Sequence, residues 1–291
     1  MLRKLFATLV LWGSLGGVTP VMADAPVTPY IVGGPTQSLT PGSFEWSWDG
    51  AYIADFRAAL QNPANFGPAG VVDRSIATVN LSTVDAGSLA GVNMFVATWI
   101  PNAEFSVSQT QAVVDFFLGG GDLFLLQDDG NHDVIGRALG LLTFASSGSV
   151  SNGGAPLYDG PFGVASDVTQ HYLVGRLDEA VVLSLGGTVA GRNVQGEVTS
   201  AFWAAGQFAP GAGALFINAD IDMIANTGSQ CGLAVCGARY DPLNNNGVFA
   251  LNTFAFLQEQ GGTPPIPEPG SFALLGLGLA AVVATARRRR A

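Results

Sequence analysis

The densest run of chemically capable side chains in this sequence is Asp128-Asp129-Gly130-Asn131-His132-Asp133, and a second acidic pair, Asp220 and Asp222, stands later. Convergent carboxylates with an imidazole bind a divalent cation such as Ca2+, or serve as acid and base on a sugar. Neither cluster has the spacing of an EF-hand loop. The same residues also suit a solvated turn in which Asp128 or Asp129 caps a helix starting near Asn131. Cys231 and Cys236, in CGLAVC, are the only two cysteines. Their closeness suits a local disulfide in an oxidising compartment, whereas a metal site would want further soft ligands nearby. His171, beside Tyr172, has no partner in sequence and reads as structural. Trp46 and Trp48, in FEWSWDG, alternate as on a strand; they read either as platforms for sugar rings or as a half-buried edge strand. No G-x-S-x-G or G-x-C-x-G elbow occurs, so a nucleophile on a strand-to-helix turn is not expected. No catalytic residue is assigned, and no cofactor beyond the candidate Ca2+ is expected.

What positions these residues must be a folded core. The 291 residues are 48% hydrophobic and 12% charged, ample for burial and poor in surface charge. Six of the 12 basic residues lie in the two end segments, which leaves 6 bases against 21 acids between Asp24 and Ile266, a net charge of -15. Such a surface repels phosphate backbones, and no basic aromatic patch offsets it; nucleic acid is excluded as a partner.

Both ends read as addresses. Met1 to Ala23 has a basic start, an apolar stretch broken by Gly13, Gly16 and Gly17, and a Val-Met-Ala cleavage pattern, which together make a secretory signal peptide for signal peptidase. A transmembrane anchor is the alternative. At the other end a Gly/Pro linker, residues 261–266, leads into Pro267, Glu268 and Pro269, then an apolar segment Phe272 to Ala286, then Arg287, Arg288, Arg289 and Arg290. As a helix those 15 apolar residues would reach about 22 Å, short of a hydrocarbon core of about 30 Å. The arginines would stay cytoplasmic and leave the body of the chain outside. This order of Pro-Glu-Pro, short helix and terminal arginines, residues 267–291, resembles the PEP-CTERM sorting signal of Gram-negative bacteria. The resemblance implies an exosortase-type membrane protease that removes the tail, transient anchoring in the inner membrane, and a final place in the outer envelope or outside the cell. It further implies company with exopolysaccharide and biofilm; a permanent tail anchor is the alternative.

Between the addresses, residues 29–260 read as one α/β domain. Val92 to Trp99 is a buried-strand run, and Asp122 to Gln127 is another. The helix between them opens on a Ser106/Gln109 capping box, repeats Val113, Val114 and Phe117 at helical spacing, and closes at Gly119 to Gly121. Strand, helix, strand predicts a parallel unit. Apolar pieces of the same strand kind stand at Ser75 to Leu81, Ala180 to Leu185 and Gly213 to Ala219. Tyr52 to Leu60 predicts an early helix, Val248 to Gln258 a closing one, and Val198 to Ala205 antiparallel additions. The fold class expected is α/β, a three-layer sandwich with a mostly parallel sheet and helices on both faces.

Several of these segments resemble the class I glutamine amidotransferase-like, flavodoxin-like fold. They are Met94 to Thr98, the helix ending in Gly119-Gly120-Gly121-Asp122, the Gly160-Pro161-Phe162-Gly163 turn, and GALFINADID followed by a terminal helix with Asn252 and Phe256. Active members of that fold place a cysteine on a sharp turn after a central strand. Here Leu123 to Gln127 runs into Asp128 instead, so amidotransferase activity is not expected. The function expected is an exported envelope or matrix protein associated with exopolysaccharide. The alternative is a secreted carbohydrate-active or metal-dependent hydrolase using Asp128, Asp129, His132 and Asp220.

Overall fold

A computed structural model describes residues 28–147, 150–169, 175–225 and 245–261. In chain order the elements are β1 (Tyr30–Pro35), α1 (Ala54–Gln61), β2 (Ile76–Leu81), α2 (Ala86–Leu89), β3 (Met94–Thr98), α3 (Val107–Leu118), β4 (Asp122–Leu126) and α4 (Val134–Ala138). There follow β5 (Thr143–Ala145), β6 (Val150–Gly153), β7 (Asp159–Gly160), β8 (Gly163–Val164), β9 (Val168–Thr169) and β10 (Gly175–Leu177). The last group is α5 (Glu179–Ser184), β11 (Thr188–Asn193), β12 (Val198–Trp203), β13 (Leu215–Asn218) and α6 (Asn245–Gln260).

One 11-stranded sheet runs β2-β1-β3-β4-β13-β12-β11-β6-β9, with β10 beside β12 and β5 beside β10. The first five strands are parallel throughout. Counting β13 as the fifth parallel strand, their order is 2-1-3-4-5, that of flavodoxin-like sheets. From β12 onward every pairing is antiparallel. For β11 and β12 the chain connection dictates this, because they are joined by a tight turn with Gly196 at φ 80, and so short a link permits only antiparallel pairing.

Every residue of β3 and β4 is buried, which is why their sequences are continuous apolar runs. Successive side chains point to opposite faces. Met94, Val96, Phe124, Leu126 and Phe216 pack with Phe56 and Leu60 of α1 and with Phe249 and Phe254 of α6. Phe95, Ala97, Leu123, Leu125 and Ile217 pack with Val113 and Phe117 of α3 and Val182 of α5. Helices on both faces make the three expected layers. The Ser106/Gln109 capping box is formed, with Gln109 N–H donating to Ser106 Oγ at 3.2 Å and Ser106 N–H to Gln109 Oε1 at 2.9 Å.

Two local expectations are corrected. Ala180 to Leu185 is the body of α5, not a strand, because the Asp178 carboxylate accepts the N–H groups of Ala180 and Val181 and starts a helix there. Trp46 ends a 3-10 turn, Phe44–Trp46, so the tryptophans do not alternate on an edge strand. Trp48 is fully buried and lies on β1, where a Cβ at Gly34 would meet its ring at 2.6 Å.

The amino edge of the parallel block is closed by one carboxyl group. Asp122, 1% exposed, accepts the Tyr30 hydroxyl and, at 2.7 Å, the Ala214 N–H. Burial raises its pKa to about 7, against the opposing pull of those two donors and Arg74. Between the ordinary value of 3.8 and about 7 the native state holds a proton that the unfolded chain has lost, so this contribution to stability falls as pH rises through that window. Thermal unfolding of the purified protein should therefore show a lower Tm at pH 8 than at pH 5, and Asp122→Asn should flatten the slope. An unchanged slope in the variant would assign the pH dependence to other groups.

Candidate functional site

In open α/β sheets ligands bind beyond the carboxyl ends of the strands, where the strand order reverses. Here that reversal lies between β1 and β3. The segment after β1 occupies the crevice: Ser43 Oγ donates to Trp99 O at 2.7 Å, and Gly42 N–H donates to the Glu104 carboxylate. Trp99, the residue after β3, has φ 50, a left-handed conformation that costs a non-glycine residue about 1 kcal/mol or more. Both of its backbone groups are held, the N–H by Leu126 O at 3.1 Å and the carbonyl by Ser43. Its indole stacks on the His132 ring, centroids 4.1 Å apart and planes 13° apart, and Trp46 packs near it at 5.9 Å. Buried close by, and without hydrogen-bond partners among the described residues, are Thr98 Oγ1, Trp99 Nε1, Asn102 Oδ1 and Gln127 Oε1. This edge is polar beneath an aromatic cover.

Asp129 and His132 come together directly. His132 Nδ1 lies 3.1 Å from Asp129 Oδ1, with 13% and 23% of the two side chains exposed. Burial pulls the Asp129 carboxyl upward, but hydrogen bonds from the Asn131 N–H, His132 and the Asn131 side chain outweigh it and hold the pKa below the ordinary value. The aspartate is therefore ionised and carries local charge. Asp128 does a different job. It is 5% exposed, and its Oδ1 accepts the Ile221 N–H at 3.0 Å, tying the end of β4 to the end of β13. Asp220 is fully buried, and its carbonyl accepts from Asn218 Nδ2 at 2.8 Å.

Neither Asp128 nor Asp129 caps a helix. The helix after them, α4, starts at Val134 with Asp133 at its N-cap position, and Asp133 makes no side-chain cap bond. Its buried carboxylate instead accepts from Asn102 Nδ2 at 3.0 Å, Arg137 Nε at 3.0 Å and the Thr143 N–H at 3.3 Å. Asp133 is thus the residue that shapes the acidic loop, and sequence reading missed it; its spacing of four from Arg137 was the available signal. Trp99 was missed because no residue type announces a positive φ. His171, Cys231, Cys236, Pro267 to Pro269, the arginine cluster and the side chain of Asp222 lie outside the described residues. Among the described residues no group of three or more His, Cys, Asp or Glu side chains is gathered so as to hold a metal ion. Among the same residues no helix is long and apolar enough to cross a membrane.

Residues 265–290 match the model of the PEP-CTERM protein-sorting motif. The chain ends in an exosortase-sorting tail. The PEP-CTERM motif marks an exported surface protein, sorted at the membrane and processed by an exosortase. No curated protein matches the chain. In fold it is similar to the N-terminal domain of mmIFT52, at 12% identity over 79% of this chain and 97% of that one, with a TM-score of 0.50. Looser likenesses are a ThuA-like protein from Bacteroides uniformis (10% identity, 83% of this chain and 96% of that one, TM-score 0.45) and a cytoplasmic protein from Salmonella typhimurium LT2 (12%, 72% and 87%, TM-score 0.43). At these identities the comparisons speak to α/β architecture alone.

The two loop aspartates should respond differently to truncation. Asp128→Ala leaves a buried N–H unsatisfied and should lower stability by about 1–3 kcal/mol, whereas Asp129→Ala, at a more exposed turn, should cost roughly 1 kcal/mol or less. Urea unfolding of both variants measures this, and equal losses would contradict the division of roles.

Proposed function

We propose that this chain is a non-catalytic envelope or extracellular-matrix protein, exported by the signal peptide Met1 to Ala23, released at its PEP motif and associated with exopolysaccharide through its α/β domain. The sorting motif at residues 265–290 is the observation that carries the reading. The 2-1-3-4-5 parallel order agrees with a class I glutamine amidotransferase-like ancestry. In that likeness the nucleophile stands on a sharp turn after a central strand; here Leu123 to Gln127 runs into Asp128, which holds the Ile221 N–H, and the strained residue after the neighbouring β3 is Trp99, whose indole cannot attack a carbonyl. With the crevice lined by the chain's own Ser43 and Glu104 contacts, the domain is suited to binding rather than reaction. The oxidising destination also favours a Cys231–Cys236 disulfide.

The second reading, a secreted carbohydrate-active or metal-dependent hydrolase, draws on the Asp129–His132 pair. It requires a second carboxylate across a substrate from the first. Asp128 instead holds the Ile221 N–H, and the His132 ring is stacked on Trp99. If the hydrolase reading holds, Asp129→Asn abolishes a measurable glycosidase activity.

Mass spectrometry of the released protein should find a C-terminus near Pro267 and no peptide containing Arg290. Replacing Pro267, Glu268 and Pro269 together by alanine should leave Arg290 on cell-bound protein. Released protein with an intact Arg290 would overturn processing. The processed protein should also cosediment with the cell's own matrix polysaccharide, and its complete recovery in the soluble fraction would remove the matrix association.

A further inference from the structure

A cleft of about 330 Å³ lies between α1 and the outer edge strand β2, away from the reversal of strand order. Its origin is visible in the helix. An amphipathic helix on a sheet normally turns an apolar stripe at i, i+3, i+4, i+7 toward the strands. On α1 the stripe that faces β2 is Ala54, Arg57, Ala58 and Gln61, small or polar at each position, while Phe56 and Leu60 take up the core side. Two alanines leave the space, and two long polar side chains border it. Thr78 and Asn80 project from β2 into the same cleft, because residues two apart share a face of the strand, and Asp49 stands at its end.

The lining groups are fixed to different degrees. Arg57 is anchored by donating to the carbonyls of Trp48 and Asp49, and its guanidinium carbon lies 5.9 Å over the Trp48 ring. Asp49 Oδ1 accepts the Gln37 N–H at 2.8 Å. The side chains of Gln61, Thr78 and Asn80 have no hydrogen-bond partner among the described residues. The cleft thus combines one carboxylate and one guanidinium of cancelling charge with two amides and a hydroxyl.

We infer that this cleft binds a neutral, polyhydroxylated ligand, a saccharide unit whose vicinal hydroxyls are held between Asp49, Gln61, Thr78 and Asn80. Planar amides and carboxylates pair with adjacent hydroxyls through alternating donors and acceptors. The opposite charges of Asp49 and Arg57, which leave the lining without net charge, and the acidic surface select against a uronate or phosphate. No aromatic ring lines the cleft, so affinity rests on hydrogen bonds, and a dissociation constant on the order of 1 mM is expected for one sugar unit. The cleft lies beside the edge strand β2, a position that suits a polymer as well as a free sugar. The inference rests on the exopolysaccharide reading for the source of its ligand, but the site is separate from the His132 edge.

The test is an NMR titration of the processed protein with neutral oligosaccharides, with their monosaccharides and with uronic-acid oligomers. Resonances of Ala54, Arg57, Ala58, Gln61, Thr78 and Asn80 should shift with the neutral ligands. A larger response to oligomer than to monomer identifies a polymer as the source, and an equal response identifies a free sugar. Asn80→Ala should weaken binding about tenfold, and Ala58→Leu, which fills the cleft from an exposed helix position, should abolish it while leaving the remaining spectrum and the Tm unchanged. Shifts confined to Trp99 and His132, a response to uronates alone, or no shift at about 50 mM sugar would overturn the inference. Cosedimentation with matrix polysaccharide is read alongside. If it persists in Ala58→Leu, the cleft is wrong and the matrix reading stands; if wild type neither shifts nor cosediments, both fall.

Discussion

The contact on which the rest of this domain depends joins its last element to its centre. Phe254 of α6 packs against Phe124 of β4 at 4.7 Å and against Phe56 of α1 at 5.3 Å, and Phe249 continues the cluster to Phe216 and Tyr158. Removing one such buried ring costs about 3–5 kcal/mol, a large share of the stability of an ordinary domain. Helix α6 is buried on nearly all sides because the β7–β8 hairpin closes over it. Asn252, fully buried, accepts the Phe162 N–H at 2.9 Å and donates to Gly163 O at 2.9 Å. A helix that is the last described element of the domain thus completes a core begun at residue 30, and cooperativity must be long-range.

The legible part of the sequence is the part ruled by local pattern. Continuous apolar runs announced β3, β4 and β13, the capping box announced α3, and the alternation of faces followed from β pleating. Ala180 to Leu185 was misread because a short apolar run is equally a strand or a helix face, and only the Asp178 side chain, a local hydrogen-bond choice, decides. From β5 to β10 only the Gly160–Gly163 turn, which closes the β7–β8 hairpin, was legible. The strands there are two to four residues long and find partners far away in sequence, such as β10 with β12.

The site was legible as composition but not as arrangement. Acidic residues at the carboxyl edge could be foreseen from strand direction, and Asp129 with His132 does form a pair. Their meaning was decided by residues of ordinary appearance. Asp133 anchors the loop from beneath, Asp128 serves a backbone amide on β13, and Trp99 lies over the imidazole in a conformation that its neighbours impose. Likewise the cleft beside α1 arises from two alanines whose spacing is informative only once the facing strand is known. Chemistry-bearing residues are therefore a weak guide to a site unless the residues that hold them are known as well.

Gly261, the residue after α6, sits where a Cβ would strike Asp122 Oδ2 at 2.0 Å, so the chain leaves the domain beside the start of β4 and close to Tyr30, the start of β1. Five residues, 262–266, separate it from Pro267, so an extended chain would reach at most about 20 Å. Asp122 and Tyr30 are therefore the groups nearest the point at which the chain leaves the domain, and the Trp99–His132 loops lie at the opposite edge of the sheet, after the ends of β3 and β4.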